Sequence, residues 1–315
     1  MTELNFENNN VSDISGLKNF TNLRKLFITN NQISDISALA GLTEMTILEL
    51  ECNKIHDISA LSGMTEMMDL YVSVNQISDI SALSGMMKLR RFNAGMNQIS
   101  DISALSGKTE VLSLCFSENY ISDISALSGM TKMKALSLPY NQISDISVLE
   151  DMVNMEFLIL HYNNISDISA MAGMTELIHL NMYGNQVSDI SALAGKTKMV
   201  YLDFSLNKIS DISVLAELTG LTGLCLFANQ ISDITALKGL TELYMLSLSH
   251  NQISDISALA GMTKMEWLIL QTNQISDITA LANMTKMVYL DIQYNQIRDF
   301  SALSNISETA NQIRK

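Results

Sequence analysis

An asparagine recurs every 22 residues along this chain, with no insertion or deletion between its fourteen occurrences: Asn9, Asn31, Asn53, Asn75, Asn97, Asn119, Asn141, Asn163, Asn185, Asn207, Asn229, Asn251, Asn273 and Asn295. A fixed period of this length predicts a solenoid, in which one short unit is stacked many times. In one unit the apolar positions are Leu23, Leu26, Ile28, Ile33, Ile36, Leu39 and Leu42, spaced around Asn31. One such unit cannot bury its apolar face alone, whereas stacked units share a continuous core.

The asparagine is expected to be structural. The chain leaves a strand there and turns inward, which buries backbone groups without a sheet partner. A carboxamide carries donors and an acceptor and can tie one coil to the next. Four residues later comes an aspartate, from Asp13 to Asp299, and two residues after that a Ser or Thr, from Ser15 to Ser301. These short polar side chains predict turn and cap chemistry. The following stretch, such as Ser37-Ala38-Leu39-Ala40-Gly41, suits a single 3₁₀ turn.

Before the asparagine the pattern is L-x-x-L-x-L-x-x-N-x-I, the leucine-rich-repeat signature, with a strand over its alternating half. Asn-Gln-Ile-Ser-Asp-Ile-Ser-x-Leu followed by Gly-x-Thr resembles the 22-residue repeats of the internalin family of bacterial surface proteins. The family's usual proline after Asp-Ile-x is Ala, Gly or Val here (Ala38, Gly16, Val148). The resemblance covers about residues 1–304. The expected fold class is an α/β solenoid: a right-handed leucine-rich-repeat superhelix, with a parallel β-sheet on its concave face and short 3₁₀ turns on its convex face. The unbroken register predicts one domain over 1–304. Residues 305–315, where Asn311 arrives early, read as a truncated unit that half-caps the core or frays.

The net charge of −14 comes from the turns: setting the fourteen repeat aspartates aside leaves 19 acidic residues against 19 Lys plus Arg. This balance argues against nucleic acid as a partner, which needs basic patches. No run of 18 apolar residues predicts a membrane-spanning helix. No secretory signal precedes the first repeat, since Met1 to Phe6 already read as strand. Localisation stays open between the cytoplasm and a surface or secreted chain whose signal has been removed. Cys52, Cys115 and Cys225 fall in separate units, three or more strands apart. That is roughly 14 Å or more, beyond the reach of a disulfide, and it predicts free thiols. Most of the 21 methionines replace Leu at two apolar positions, among them Met45, Met67, Met64 and Met86, and read as core fillers rather than metal ligands. Glu and Lys alternate nine residues before the asparagine, as in Glu66 and Lys88, and are expected to pair between coils without a functional role.

Strand alternation sends residues six, four, two and one before the asparagine to the open face. There the units stop agreeing. Eleven of the 19 aromatic residues lie on those positions. Phe157, Ile159, His161, Tyr162, His179, Asn181, Tyr183, Tyr201 and Asp203 form the patch expected to carry binding. Phe227 follows, and Trp267, Tyr289, Asp291 and Tyr294 make a further candidate near the end. Glu49, Glu51 and Asp69 form an acidic patch. Exposed aromatic clusters mark interaction sites, although rings also suit any sheet. His179, Asp203 and Cys225 offer a Cys-His-Asp combination, and His161, His179 and Asp203 a metal set. An open sheet without an oxyanion loop or pocket favours neither. No phosphate-loop or nucleotide motif is present. The expected function is therefore a non-enzymatic scaffold, without cofactor or metal, that binds a protein or a glycan on its concave face. The alternatives are head-to-tail self-assembly into filaments, or an engineered or truncated repeat fragment.

Overall fold

The computed structural model describes residues 1–304, 306 and 312–314. The expected truncated unit over 305–315 lies largely outside these residues. The chain divides into two compact units, Met1–Met155 and Glu156–Lys315.

The first unit holds strands β1 (Glu3–Asn5), β2 (Lys25–Phe27), β3 (Ile47–Glu49), β4 (Asp69–Tyr71), β5 (Arg91–Asn93), β6 (Ser113–Cys115) and β7 (Ala135–Ser137). They pair in sequence order and in parallel, each residue opposite the one 22 positions on, as Leu26 opposite Leu48. The second unit repeats the plan with β8 (Phe157–Ile159), β9 (His179–Asn181), β10 (Tyr201–Asp203), β11 (Gly223–Cys225), β12 (Met245–Ser247), β13 (Trp267–Ile269), β14 (Tyr289–Asp291) and β15 (Gln312–Arg314). Here too the pairing is parallel and consecutive. Between strands the helical elements among the described residues are short 3₁₀ turns such as Ser37–Leu39. Three residues per strand suffice because each coil is held by its neighbours rather than by its own length.

The seven apolar positions of the second coil are 0–2 % exposed. Met45, Met64, Met67 and Met86 are fully buried, as their register predicts. The first coil is less covered: Leu4 and Val11 are half-buried and Phe6 is 39 % exposed.

The asparagine ties each coil to the one before it. Asn31 Nδ2 donates to the Phe6 carbonyl of the preceding coil at 2.9 Å and to its own Ile28 and Thr29 carbonyls at 3.0 and 3.2 Å, while Oδ1 accepts from the Val11 N–H at 3.0 Å. The same set recurs around Asn53, Asn119 and Asn207. The backbone groups stranded by the turn are thereby paired.

The residue just before each asparagine lies in the left-handed region: φ is 52–57° at thirteen non-glycine positions, Val74 and Thr272 among them, and 67° at Gly184. A β-branched side chain rarely adopts this conformation. It persists here because the N–H of that residue donates to the next coil, as Asn30 to Glu51 O at 2.9 Å.

All fourteen repeat aspartates accept at Oδ1 from the N–H two residues on, at 2.7–2.8 Å. This corrects the cap expectation in detail. The bond closes a turn just upstream of the 3₁₀ segment, whose N-cap residue is the apolar one between, such as Ile36 (Phe300 in the last coil), and makes no side-chain cap bond.

Two core positions carry lysine. Lys108 and Lys196 occupy the apolar site filled by Met or Leu in most other coils and are fully buried. Each ammonium donates to a carbonyl of the preceding coil, Ser84 O and Ala172 O, at 3.1 Å. Burial pushes both amines below the usual lysine range.

Candidate ring-lined face on β8–β14

Four rows of side chains stand on the open face of the second unit. The first strand position carries Phe157, His179, Tyr201, Gly223, Met245, Trp267 and Tyr289, and the third carries Ile159, Asn181, Asp203, Cys225, Ser247, Ile269 and Asp291. Past the strand follow His161, Tyr183, Ser205, Phe227, Ser249, Gln271 and Gln293, then the turn row that includes Tyr162, Gly184, His250 and Tyr294. Because the register is strict, like positions form columns across the sheet at the interstrand spacing of about 4.8 Å.

The rings gather in groups. His179 stacks on Tyr201 with centroids 4.6 Å apart and an interplanar angle of 13°, and Phe157 lies 6.4 Å from His179 on its other side. Trp267 stacks on Tyr289 at 5.5 Å, and the Arg314 guanidinium covers Tyr289 at 5.7 Å. Tyr162 meets Tyr183 edge-to-face at 5.0 Å and His161 at 6.1 Å. Phe227 meets His250 edge-to-face at 5.2 Å. Phe157, Trp267, Tyr162 and Tyr294 are 43, 44, 39 and 77 % exposed. Ile159, His161, His179, Asn181, Tyr183, Tyr201, Phe227 and Tyr289 are half-buried.

Two glycines make room for rings, a support the repeat pattern did not reveal. A Cβ at Gly223 would lie 2.8 Å from Tyr201 Cδ2, and one at Gly184 would lie 2.9 Å from Tyr162 Cδ1. Each ring therefore sits close against the neighbouring glycine, where a side chain would collide with it.

Asp203 and Asp291 are corrections to the expected surface. Alternation puts them on the open face, but they are only 9 and 3 % exposed. Each accepts from the N–H two residues on, Ser205 at 2.8 Å and Gln293 at 3.2 Å. Asn181 makes the same bond to Tyr183 at 3.0 Å. These side chains close the strand end and form floor rather than rim. Burial raises the Asp203 carboxyl, against the lowering effect of the Ser205 N–H.

The chemistry of the proposed triad is unfavourable to a nucleophile. Cys225 faces the Tyr201 hydroxyl at 3.9 Å. Burial, reinforced by Asp203, pushes its thiol up to about 11, so at neutral pH it is protonated and weakly reactive. Burial lowers both His161 and His179, with Asp203 opposing. Among the described residues no group of three or more His, Cys, Asp or Glu is arranged to hold a metal ion. Cys52, Cys115 and Cys225 are all free thiols.

On the first unit the same rows are charged. Lys25 pairs with Glu3 at 3.2 Å, and Arg91 with Asp69 at 3.3 Å. Glu51 accepts from Ser73 Oγ and Asn93 Nδ2, and burial together with Glu7 and Glu51 raises Glu49. Off the face, the expected coil-to-coil pairs form: Lys88 with Glu66 and Lys132 with Glu110, each at 2.6 Å, and Lys198 with Glu176 and Lys264 with Glu242, each at 2.5 Å. No helix among the described residues is long and apolar enough to cross a membrane.

A model of leucine-rich repeats (two copies) matches residues 1–41, 21–63, 153–195, 219–261, 241–283 and 263–305. No curated protein matches the chain. Among solved structures, an internalin (InlF) from Listeria monocytogenes is 36 % identical, over 91 % of this chain and 86 % of that one, with a TM-score of 0.87. The functional domain of InlJ from Listeria monocytogenes is 22 % identical over 97 % of this chain and 70 % of that one, with a TM-score of 0.82. The plant peptide hormone receptor RGFR1 in complex with RGF2 is 20 % identical over 98 % of this chain and 54 % of that one, with a TM-score of 0.88. The last two share the fold. With its repeats matched over more than half its length, and with such identity to a listerial internalin, this chain belongs to the leucine-rich-repeat family and carries repeats of the internalin type.

Proposed function

We propose that the chain is a non-enzymatic scaffold that binds a protein partner on the ring-lined face of β8–β14. The observation that carries this reading is the contrast between invariant turns and a face on which rings are clustered, partly exposed and supported by glycines. Tyr and Trp are favoured anchors because they bring a large contact area at small entropic cost. A structural neighbour of the same fold, RGFR1, is seen in complex with RGF2, which supports a peptide-sized or larger protein ligand. The raised Cys225 thiol and the buried Asp203 weigh against catalysis on this face.

The test is a chain carrying Tyr162→Ser, Tyr183→Ser and Tyr201→Ser, compared with wild type against binders selected from a random-peptide display library on the wild-type chain. Affinity is expected to fall at least about tenfold, with the circular dichroism spectrum unchanged. Unchanged affinity removes this face from consideration.

A second reading is head-to-tail self-association, in which copies of the repeat stack meet end to end. Light scattering over a wide concentration range tests it. A mass that climbs with concentration supports it, and a constant monomer mass ends it.

A further inference from the structure

The open-face rows of β8–β14 contain no lysine, arginine or glutamate, and their two aspartates are buried. The fold does not demand this. The same rows on the first unit hold Glu3, Lys25, Glu49, Asp69 and Arg91. An uncharged face therefore constrains what can dock. Away from its β14 end, where Arg314 covers Tyr289, a charged group brought against it would lose its water and find no counter-charge.

Several ring faces are already occupied. His179 and Tyr201 stack on each other, with Phe157 tilted beside His179, and Tyr289 lies between Trp267 and Arg314. The Cδ2 side of Tyr201 lies against Gly223. A sugar ring packs against an open aromatic face, and the stacked faces of His179, Tyr201 and Tyr289 are not open to one. Aromatic edges are the positive rim of the ring quadrupole and favour the faces of other rings. Electrostatically the same rim suits carbonyl oxygens. Both groups are abundant in a polypeptide.

We infer that the partner surface is a polypeptide segment that is uncharged where it touches β8–β14 and that meets the ring edges with aromatic side chains and backbone carbonyls. This rests on the protein-binding reading above and specifies its chemistry.

The experiment uses the full chain and two probes, the random-peptide display library and a glycan array. Selected peptides are titrated at low and at high salt against wild type, Tyr201→Ser, Tyr289→Ser and the conservative Tyr289→Phe. The expected outcome is enrichment of uncharged, aromatic-bearing peptides. Their affinity should change less than about twofold with salt, fall about tenfold or more in either Ser variant, and largely survive Tyr289→Phe. Where Tyr201→Ser unfolds the chain, Trp267→Ser, whose ring covers no glycine, takes its place. Face-dependent but charged, salt-sensitive peptides overturn this inference and leave the protein-binding reading standing. Glycans bound in place of peptides overturn both, as do peptides indifferent to the Ser variants or the absence of any face-dependent peptide.

Discussion

Replacing Asn119 by Ala tests the interior ladder that makes this repeat a solenoid. Asn119 is 5 % exposed. Its Nδ2 donates to the carbonyls of Ala94, Phe116 and Ser117 at 3.0, 3.2 and 3.1 Å, and its Oδ1 accepts from Ile99 N–H at 2.9 Å. Two amide hydrogens serve three carbonyls, so about three net hydrogen bonds are lost, at about 1 kcal/mol each. The Ile99 N–H is left buried without an acceptor, which adds about 1–2 kcal/mol. The expected loss is therefore roughly 4–5 kcal/mol. Asn9, in the exposed first coil, donates only to Phe6 O and Glu7 O among the bonds seen, so Asn9→Ala should cost less than about 1 kcal/mol. Asn119→Asp keeps the acceptor for Ile99 but turns the donor toward three carbonyls into a second acceptor, and should be at least as damaging as Ala. Urea unfolding gives the global cost, and amide exchange at Ile99 reports the local opening even if the repeat array does not unfold in one step. A loss below about 1 kcal/mol for Asn119→Ala, with Ile99 still protected, would refute the ladder argument.

Lys108→Met or Lys196→Met should stabilise the chain by about 1–2 kcal/mol, because a buried ammonium held by one carbonyl is replaced by the apolar residue other coils use there; a lower urea midpoint would contradict this. The repeat aspartates Asp13, Asp35, Asp101, Asp123, Asp145 and Asp211 are held below the usual carboxylate range, chiefly by the N–H two residues on. A folded pKa below the unfolded one contributes stability above the unfolded value that is lost as pH falls through the folded one, so the thermal midpoint should drop below about pH 4, and Asp123→Asn, which keeps the acceptor without titrating, should lessen the drop. At pH 8 a Cys225 thiol with a pKa of about 11 is only about 0.1 % thiolate. A disulfide reagent should therefore modify the exposed Cys52 well before Cys225, and equal rates would show that Cys225 is not buried as described.

Much of this fold was legible because period and chemistry coincide. The asparagine has donors and an acceptor at a fixed offset, the aspartate lies two residues from a Ser or Thr, and the methionines fall on apolar positions. Less legible was anything set by depth or by backbone handedness. Alternation tells which side of the sheet Asp203 faces, yet not that its carboxyl folds down onto the Ser205 N–H. Among the turn-row residues Gly184, Asn8 and Asn30 announce a left-handed conformation, while Val74 and Thr272 give no hint of one. The burial of Lys108 and Lys196 opposes the usual preference of lysine and emerges only when the register is taken at its word. On the candidate face, the rows were readable from spacing. The stacking of His179 on Tyr201, and the roles of Gly184 and Gly223 against the tyrosines, depend on side-chain angles that spacing does not encode. The division at Met155 and Glu156 falls inside an unbroken register and has no marker in composition.

Hydroxyl-radical footprinting of the chain, free and bound to a library-selected peptide, tests the central claim most directly, since aromatic side chains report their own solvent access. Tyr162, Tyr201, Trp267 and Tyr289 should lose reactivity on binding, while Tyr120, 57 % exposed one residue past its asparagine and off the open face, should keep it. Protection at Tyr120 with Trp267 and Tyr201 unchanged would contradict a binding face on β8–β14.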